Sequence, residues 1–170
     1  MKAQFPTLAI LIAAAAATVT AVAAEPSPAC APVLKAMART LVADHASVTQ
    51  GNNQTLNGIT AGGVNYLQIN GVWKASLLSP KDNQERSDEN LKNAKSYICQ
   101  SLPDSTIDGV AVANYQTRTE GEDKIIESKI AISKASGLAI QVENNIAGEN
   151  NSRYTTRYTY TNIHAPAIQK

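Results

Sequence analysis

The last third of the chain, from Val110 onward, alternates apolar and polar residues with a period of two. Such alternation is typical of β-strands that bury one face and solvate the other. It predicts a series of strands separated by turns: Val110–Arg118, Lys124–Lys134, Leu138–Ala147 and Arg153–Ile163. An antiparallel sheet with one solvated face must cover its other face. The remaining elements of the chain must therefore pack against the apolar side of this sheet.

The register of these strands follows from matching their side-chain faces. The predicted cross-strand pairs are Ile132–Ile140, Ile130–Val142, Ile126–Ile146, Val142–Tyr158, Ile140–Tyr160 and Ile146–Tyr154. On the reverse face the same register aligns Lys129, Glu143 and Arg157, so that opposite charges are adjacent. Because a one-residue slip would mix the two faces, the pattern specifies the register strongly.

The residues before Val110 predict further strands. Asn70-Gly71 between two β-rich runs indicates a tight hairpin of Val64–Ile69 and Val72–Leu78. Shorter strands are expected near Ala46–Thr49 and Thr55–Ala61.

Apolar residues at helical spacing predict two helices. The first runs from about Pro32 to Asp44, and the second runs from about Ser87 to Ser101, where Pro103 ends it. The second helix has few large apolar residues and would cover the sheet thinly. Together the elements predict an α+β fold: a curved antiparallel β-sheet, an unclosed half-barrel of about six to eight strands, with two helices covering its concave apolar face.

The first 24 residues have the order of a secretory signal peptide: Lys2, an apolar run, and small residues up to Ala24. We expect a signal peptide at 1–24, a linker at 25–32, one domain at 33–166 and a tail at 167–170. The mature protein would be periplasmic or secreted, with no stable membrane span. The competing interpretation is an uncleaved anchor, because the apolar run is nearly long enough to cross a bilayer. A lipoprotein anchored at Cys30 is disfavoured because Pro28 fits the lipobox poorly.

The charge and the cysteines narrow the function further. The full chain has 15 basic and 14 acidic residues, and loss of Lys2 with the signal peptide leaves the mature chain neutral. The mature chain therefore has no excess of basic residues that would favour binding to nucleic acid or to anionic lipid headgroups.

Cys30 and Cys99 are expected to form a disulfide, which would join the start of the first helix to the end of the second. The alternative is two buried free thiols.

The sequence has no recognisable catalytic, metal-binding or cofactor motif. His45 and His164 are far apart, and neither has a partner at metal-ligand spacing. A nucleophile elbow, a phosphate-binding loop and a dinucleotide glycine pattern are all missing from the sequence. We therefore expect a protein that is not an enzyme and needs no cofactor. Asn53-Gln54-Thr55 and Asn150-Asn151-Ser152 match the glycosylation sequon, which has no meaning in a bacterial protein.

Two segments resemble a known family. Ser136–Glu143, with the sequence SGLAIQVE, is similar to a turn and strand of the LolA/LppX-like family of periplasmic lipoprotein and lipid carriers. Arg157–Pro166 resembles the terminal strand of that family, which precedes a proline, whereas Ala139 replaces the proline that the family usually has. The rest of the chain matches by the order of its elements. The resemblance implies an unclosed antiparallel barrel with an apolar hollow.

The apolar sheet face and its thin cover support two function hypotheses. The first is a monomeric binding protein with an apolar hollow for a hydrophobic small molecule, a lipid or an acylated protein. Tyrosine and tryptophan suit the wall of such a hollow, because each combines an apolar ring with one polar group. The expected ligand-binding residues are Trp73, Tyr115, Ile130, Ile140, Val142, Tyr154, Tyr158 and Tyr160. The alternative role of Trp73 is ordinary packing in the core. The second hypothesis is an envelope structural or interaction protein with a fully packed core and no ligand cavity.

Overall fold

The structure, a computed structural model, describes residues 26–148 and 152–168. The predicted signal peptide lies outside these residues. A short 3-10 helix, Pro28–Cys30, precedes helix α1, Ala31–Val42, and helix α2 spans Pro80–Lys92. The strands are β1 His45–Gly51, β2 Gln54–Ala61, β3 Val64–Ile69, β4 Val72–Ala75, β5 Ser96–Ile107, β6 Val110–Glu120, β7 Lys124–Ser133, β8 Ala139–Gly148 and β9 Ser152–Thr159.

Nine strands of the described chain form one antiparallel sheet in the order β4-β3-β2-β1-β9-β8-β7-β6-β5. The sheet is not closed into a barrel, because β4 and β5 lie at opposite edges. The predicted curved α+β fold with two helices is confirmed, although the sheet has more strands than the six to eight expected. The first strand pairs with the last, so β1 and β9 lie side by side in the middle of the sheet. The connection that contains α2 therefore leads from one edge of the sheet to the other.

The β3–β4 hairpin forms as predicted. Asn70 and Gly71 have φ angles of 53° and 79°, which suit the two central residues of a type I′ turn. Strand β3 has the predicted bounds, whereas β4 ends at Ala75 rather than at Leu78.

The second helix lies earlier in the chain than predicted. The Ser79 hydroxyl accepts a hydrogen bond from Asp82 N at 3.2 Å, and the Asp82 carboxylate accepts one from Ser79 N at 2.7 Å. This capping box, followed by Pro80 in the first turn, fixes the start of α2. Of the apolar residues whose spacing predicted a helix, Ile98 and Leu102 lie on edge strand β5, Leu91 lies in α2, and Ala94 lies between the two elements. Pro103 is tolerated in β5 because it lies on an edge strand and at a β-bulge.

The pairing of β7 with β8 is confirmed for Ile130–Val142, Ile126–Ile146 and Lys129–Glu143. Beyond these pairs a β-bulge changes the register. Ile132 lies opposite Ala139 instead of Ile140, and Ile140 becomes the extra residue of β8.

The pairing of β8 with β9 is displaced by two residues from the prediction. Val142 lies opposite Thr156, and Glu143 lies opposite Thr155. The predicted pairs Val142–Tyr158, Ile140–Tyr160, Ile146–Tyr154 and Glu143–Arg157 are therefore wrong. A shift by two residues leaves each side chain on its predicted face. Tyr158 accordingly still shares the face of Val142.

Helix α1 packs on β7 and β8 and completes the core. Ala139 N donates a buried hydrogen bond of 2.9 Å to Thr40 Oγ1, which links β8 directly to the helix. Helix α2 lies against α1. The buried apolar residues between α1 and the sheet are Val33, Ala36, Ile130, Ile132, Ala139 and Val142, with Met37, Tyr115 and Tyr158 packed against them.

A disulfide joins Cys30 and Cys99, whose Cα atoms are 5.1 Å apart. The predicted pairing is confirmed, but Cys99 lies on β5 and not on a helix. The bond therefore ties the start of α1 to an edge strand of the sheet. In the described chain, neither α1 nor α2 has the length and apolar character needed to cross a membrane.

Candidate functional site

The helix-covered face of the sheet is packed on one half and hollow on the other. On β7 and β8, isoleucine and valine fill the space beneath α1. On β1 and β2 the same face carries Ser47, Thr49 and Gly58, since Ser47 lies opposite both Gly58 and Tyr158. These small residues do not fill the volume that isoleucine and valine fill elsewhere, and close packing is lost there. The sequence itself thus creates a hollow on this half of the sheet.

This space, called the helix-side hollow below, has a volume of about 360 Å³. Such a volume is within the range of small-ligand sites. Leu41 of α1, Leu78 of the loop before α2 and Asn83 of α2 form its helical side. The sheet contributes His45, Ser47, Thr49, Leu56, Gly58, Thr60, Leu67, Thr156 and Tyr158 among others.

Two large apolar side chains face the hollow without being covered. Leu56 is 44% exposed and Leu67 is 36% exposed. On the packed half of the same face, Ile130 and Val142 are only 5% and 6% exposed. The two leucines lie on the helix-covered face because Leu56 is opposite Thr49 and Leu67 is opposite Gly58. They mark the part of the apolar face that the helices leave uncovered.

None of the described residues that line the helix-side hollow is an acid, a lysine or an arginine. The hydroxyl groups of Thr49 and Thr156 bond to each other at 2.9 Å. Among residues 26–148 and 152–168, no three His, Cys, Asp or Glu side chains are placed to hold a metal ion. The hollow therefore offers a ligand apolar contact rather than charge.

His45 lies at the α1 end of the hollow. Its ring packs edge-on against Tyr158, with ring centroids 5.3 Å apart, and its Nδ1 lies 2.8 Å from the Ala43 carbonyl oxygen. Burial lowers the pKa of His45, and this effect exceeds the opposing effects of the Ala43 hydrogen bond and the Asp44 carboxylate. His45 is therefore neutral at pH 7, and its Nδ1 donates to the carbonyl.

Tyr158 forms part of the floor of the hollow. Burial, with smaller contributions from Tyr160 and Tyr154, raises the pKa of Tyr158 to about 12. Its side chain is therefore neutral over the whole physiological range and presents an uncharged ring to the hollow. Burial also raises the pKa of Tyr154 and Tyr160.

Of the residues predicted to line an apolar cavity, Tyr158 alone lies in the wall of the helix-side hollow. Tyr115, Ile130 and Val142 belong to the packed core beneath α1. The Tyr160 hydroxyl donates to the Ala139 carbonyl oxygen at 2.5 Å, which is a structural hydrogen bond.

The other three predicted residues lie elsewhere. Tyr154 is on the helix-covered face but sits opposite Asn144, beyond the hollow. Trp73 pairs with Gln68, the neighbour of Leu67, and so points to the opposite face of the sheet. Ile140 is the extra residue at the bulge of β8 and lines a different pocket, to which Tyr158 also contributes.

The sequence analysis missed Leu56 and Leu67, although a signal for both was present. Leu56 alternates with Gly58 and Thr60 on its strand, and Leu67 alternates with Asn65 and Ile69. The period-two pattern places Leu67 on the face opposite its neighbours Tyr66 and Gln68. What the pattern did not reveal is that the pairing partners on β1 and β2 are too small to fill the space.

No family model and no curated protein matches this sequence. Among solved structures, the lipoprotein LppX of Mycobacterium tuberculosis is 8% identical, with a TM-score of 0.47 over 80% of this chain and 97% of that chain. LprF of Mycobacterium bovis is 9% identical, with a TM-score of 0.48 over 85% of this chain and 97% of that chain. Both structures are only weakly similar to this chain. No argument about the ligand of this chain follows from them.

Proposed function

We propose that this chain is an exported, non-enzymatic binding protein that holds a hydrophobic ligand, or the acyl chain of a partner, in the helix-side hollow. The observation that carries the proposal is the exposure of Leu56 and Leu67 inside a hollow on the covered face. An apolar occupant would remove both leucines from water, and this burial is favourable by roughly 25 cal/mol per Å² of apolar surface.

The composition of the hollow favours an acyl chain over a polar ligand. Its described lining residues carry no formal charge, and burial keeps His45 and Tyr158 neutral. A charged headgroup buried among such residues would lose its hydration without gaining a partner of opposite charge. We therefore place the apolar part of the ligand inside the hollow and any charged group outside it, in water.

Two features support export. The first 24 residues have the order of a signal peptide that ends near Ala24. The Cys30–Cys99 disulfide is of the kind that persists in oxidising compartments such as the periplasm or the extracellular space.

The test is a titration of the folded protein with a fluorescent fatty acid. The parent protein should show saturable uptake. Leu67→Asp, which places a carboxylate in the wall of the hollow, should weaken uptake by about tenfold or more. Ile69→Asp is the matched control, because Ile69 lies on the same strand and the same face, is 46% exposed, and does not line the hollow.

The control variant should bind like the parent, and both variants should keep the parent's circular dichroism spectrum. Equal losses in the two variants would mean that the hollow is not the site. No saturable uptake by the parent would contradict the proposal itself. The better account would then be an envelope interaction protein.

A further inference from the structure

The sequence contains the dipeptide Asn-Gly twice, at Asn57-Gly58 and at Asn70-Gly71. In this dipeptide the side-chain amide can react with the following backbone nitrogen, because glycine has no Cβ atom to hinder the approach. The sequence alone gives the two pairs the same reactivity. The structure places them in opposite surroundings, since Asn57-Gly58 lies inside strand β2 and Asn70-Gly71 forms the turn between β3 and β4.

The Asn57-Gly58 pair is held on both sides of its strand. Strand β2 lies between β1 and β3, and Gly58 lies opposite Ser47 on one of them and Leu67 on the other. Asn57 Nδ2 donates to Gln68 Oε1 at 2.8 Å. A Cβ atom added to Gly58 would lie only 2.6 Å from Ser47 Oγ, so the space beside Gly58 is already filled. Any rearrangement of this pair must first separate β2 from its neighbours.

The Asn70-Gly71 pair is open to solvent. Both residues are exposed, and Gly71 N has no hydrogen-bond partner among the described residues. A Cβ atom added to Gly71 would meet no atom within 4 Å outside the adjoining residues. Strand β4 has 4 residues and lies at the edge of the sheet. The turn therefore opens when the single terminal pair Ile69–Val72 separates, and such ends open most readily.

We infer that Asn70 is a site of spontaneous deamidation in the folded protein, whereas Asn57 is protected from the same reaction. Gly71 N attacks Asn70 Cγ, and the new C–N bond closes a succinimide ring. The bond between Cγ and Nδ2 of Asn70 breaks, and the amide nitrogen leaves as ammonia with the proton that Gly71 N loses. Water then opens the ring. Addition at Cγ gives aspartate, and addition at the main-chain carbonyl carbon gives isoaspartate.

The two products have different effects on the β3–β4 hairpin. The aspartate product keeps the backbone and adds a negative charge at the tip, and Asp-Gly suits the same turn type. The isoaspartate product passes the main chain through the side-chain carbons, which adds a methylene group to the turn. The two-residue turn that matches the pairing of β3 with β4 is then lost. Hydrogen exchange in β4 should therefore be faster in the isoaspartate form than in the aspartate form.

The test follows deamidation of the two asparagines in one chain. The purified protein is incubated in mildly alkaline buffer, folded in one sample and unfolded with guanidinium chloride in the other. Peptide mass spectrometry with fragmentation measures the conversion of each asparagine, since the reaction exchanges an NH₂ group for an OH group. Unfolded protein should convert Asn57 and Asn70 at similar rates. Folded protein should convert Asn70 at least about tenfold faster than Asn57, because only the turn opens readily.

Asn70→Asp is the matched control variant. It removes the reactive amide and keeps a residue that suits the turn, so the folded variant should release far less ammonia than the folded parent. Equal conversion of Asn57 and Asn70 in the folded parent would overturn the inference. An Asn70 that reacts only in the unfolded sample would also overturn it, because the turn itself would then be protective. Equal ammonia release by the folded variant and the folded parent would place the reaction elsewhere in the chain.

Discussion

Removal of the Cys30–Cys99 disulfide tests how α1 is held on the sheet. The change is the double substitution Cys30→Ala and Cys99→Ala, which leaves no unpaired thiol. The bonded residues are 69 positions apart in the chain. For a loop of this length, the chain-entropy model of disulfides gives a stabilisation of about 4 kcal/mol at 25 °C. The free energy of unfolding should fall by about this amount.

The fold should survive the loss of the disulfide. Val33 and Ala36 of α1 remain buried against Ile130 and Val142 whether or not the bond is present. The melting temperature should therefore fall by about 8–16 °C in a protein of this size, without loss of the cooperative transition.

The assay is thermal and urea unfolding of the parent, the parent after reduction, and the double variant. Reduction and substitution should give similar losses of stability. Titration of the unreduced, denatured parent should find no free thiol. Two free thiols, or a loss of less than about 1 kcal/mol, would refute the loop-closure reasoning.

Three further changes test the packing and electrostatics of the helix-covered face. Burial lowers the pKa of His45 below 6.5, so the unfolded chain binds a proton more readily and the free energy of unfolding should fall as the pH drops from about 7.5 to about 5. Urea unfolding at both pH values should show that His45→Gln reduces this dependence, and an unchanged dependence would contradict the assignment. The pKa of Tyr158 is raised from 10.0 to about 12, so its contribution is complete below pH 10 and is lost as the pH rises through 12, by about 2–3 kcal/mol. Tyr158→Phe should therefore lose less stability than the parent in alkaline urea titrations, and an equal loss would contradict this assignment. Ile130→Ala should lower the free energy of unfolding by about 2–5 kcal/mol, and Leu67→Ala should cost clearly less, because Leu67 is 36% exposed and Ile130 is 5% exposed.

Much of the sheet was predictable because its side chains alternate strictly. The period of two located strands β6 to β9. Asn70-Gly71 located the β3–β4 turn, because asparagine and glycine tolerate the two consecutive positive φ angles of this turn type. The side chains lie on their predicted faces of the sheet even where the predicted pairing register is wrong. The β8–β9 pairing differs by two residues, and a shift of two residues exchanges partners without turning any side chain over.

Other features depend on interactions that a single segment does not show. The spacing of Leu91, Ala94, Ile98 and Leu102 resembles a helical stripe, yet much of this segment pairs with β6 as an edge strand. The capping box of Ser79 and Asp82 was the better helix signal in the same region. The bulge at Ile140 could not be predicted from the strand alone, since the adjacent Ala139 is held by Thr40 of α1.

The type of candidate site, an apolar sheet face under a thin helical cover, was predictable from the sequence, but its position in the sheet was not. The sequence correctly placed Tyr158 on the covered face and indicated a thin helical cover. The sequence did not indicate which part of the apolar face the helices leave uncovered, because that depends on which residues lie opposite one another. Gly58 and Ser47 leave space only because both face α1 and α2 next to Leu67, and this arrangement arises from the pairing of β1, β2 and β3.

The central claim is that the helix-side hollow takes one apolar ligand, and native mass spectrometry tests it most directly. The purified protein is incubated with a long-chain fatty acid, and the Leu67→Asp and Ile69→Asp variants are treated in the same way. The account predicts a one-to-one complex for the parent and for Ile69→Asp, and little or none for Leu67→Asp. A parent protein that remains free of fatty acid, or a Leu67→Asp variant that binds as well as the parent, would contradict it.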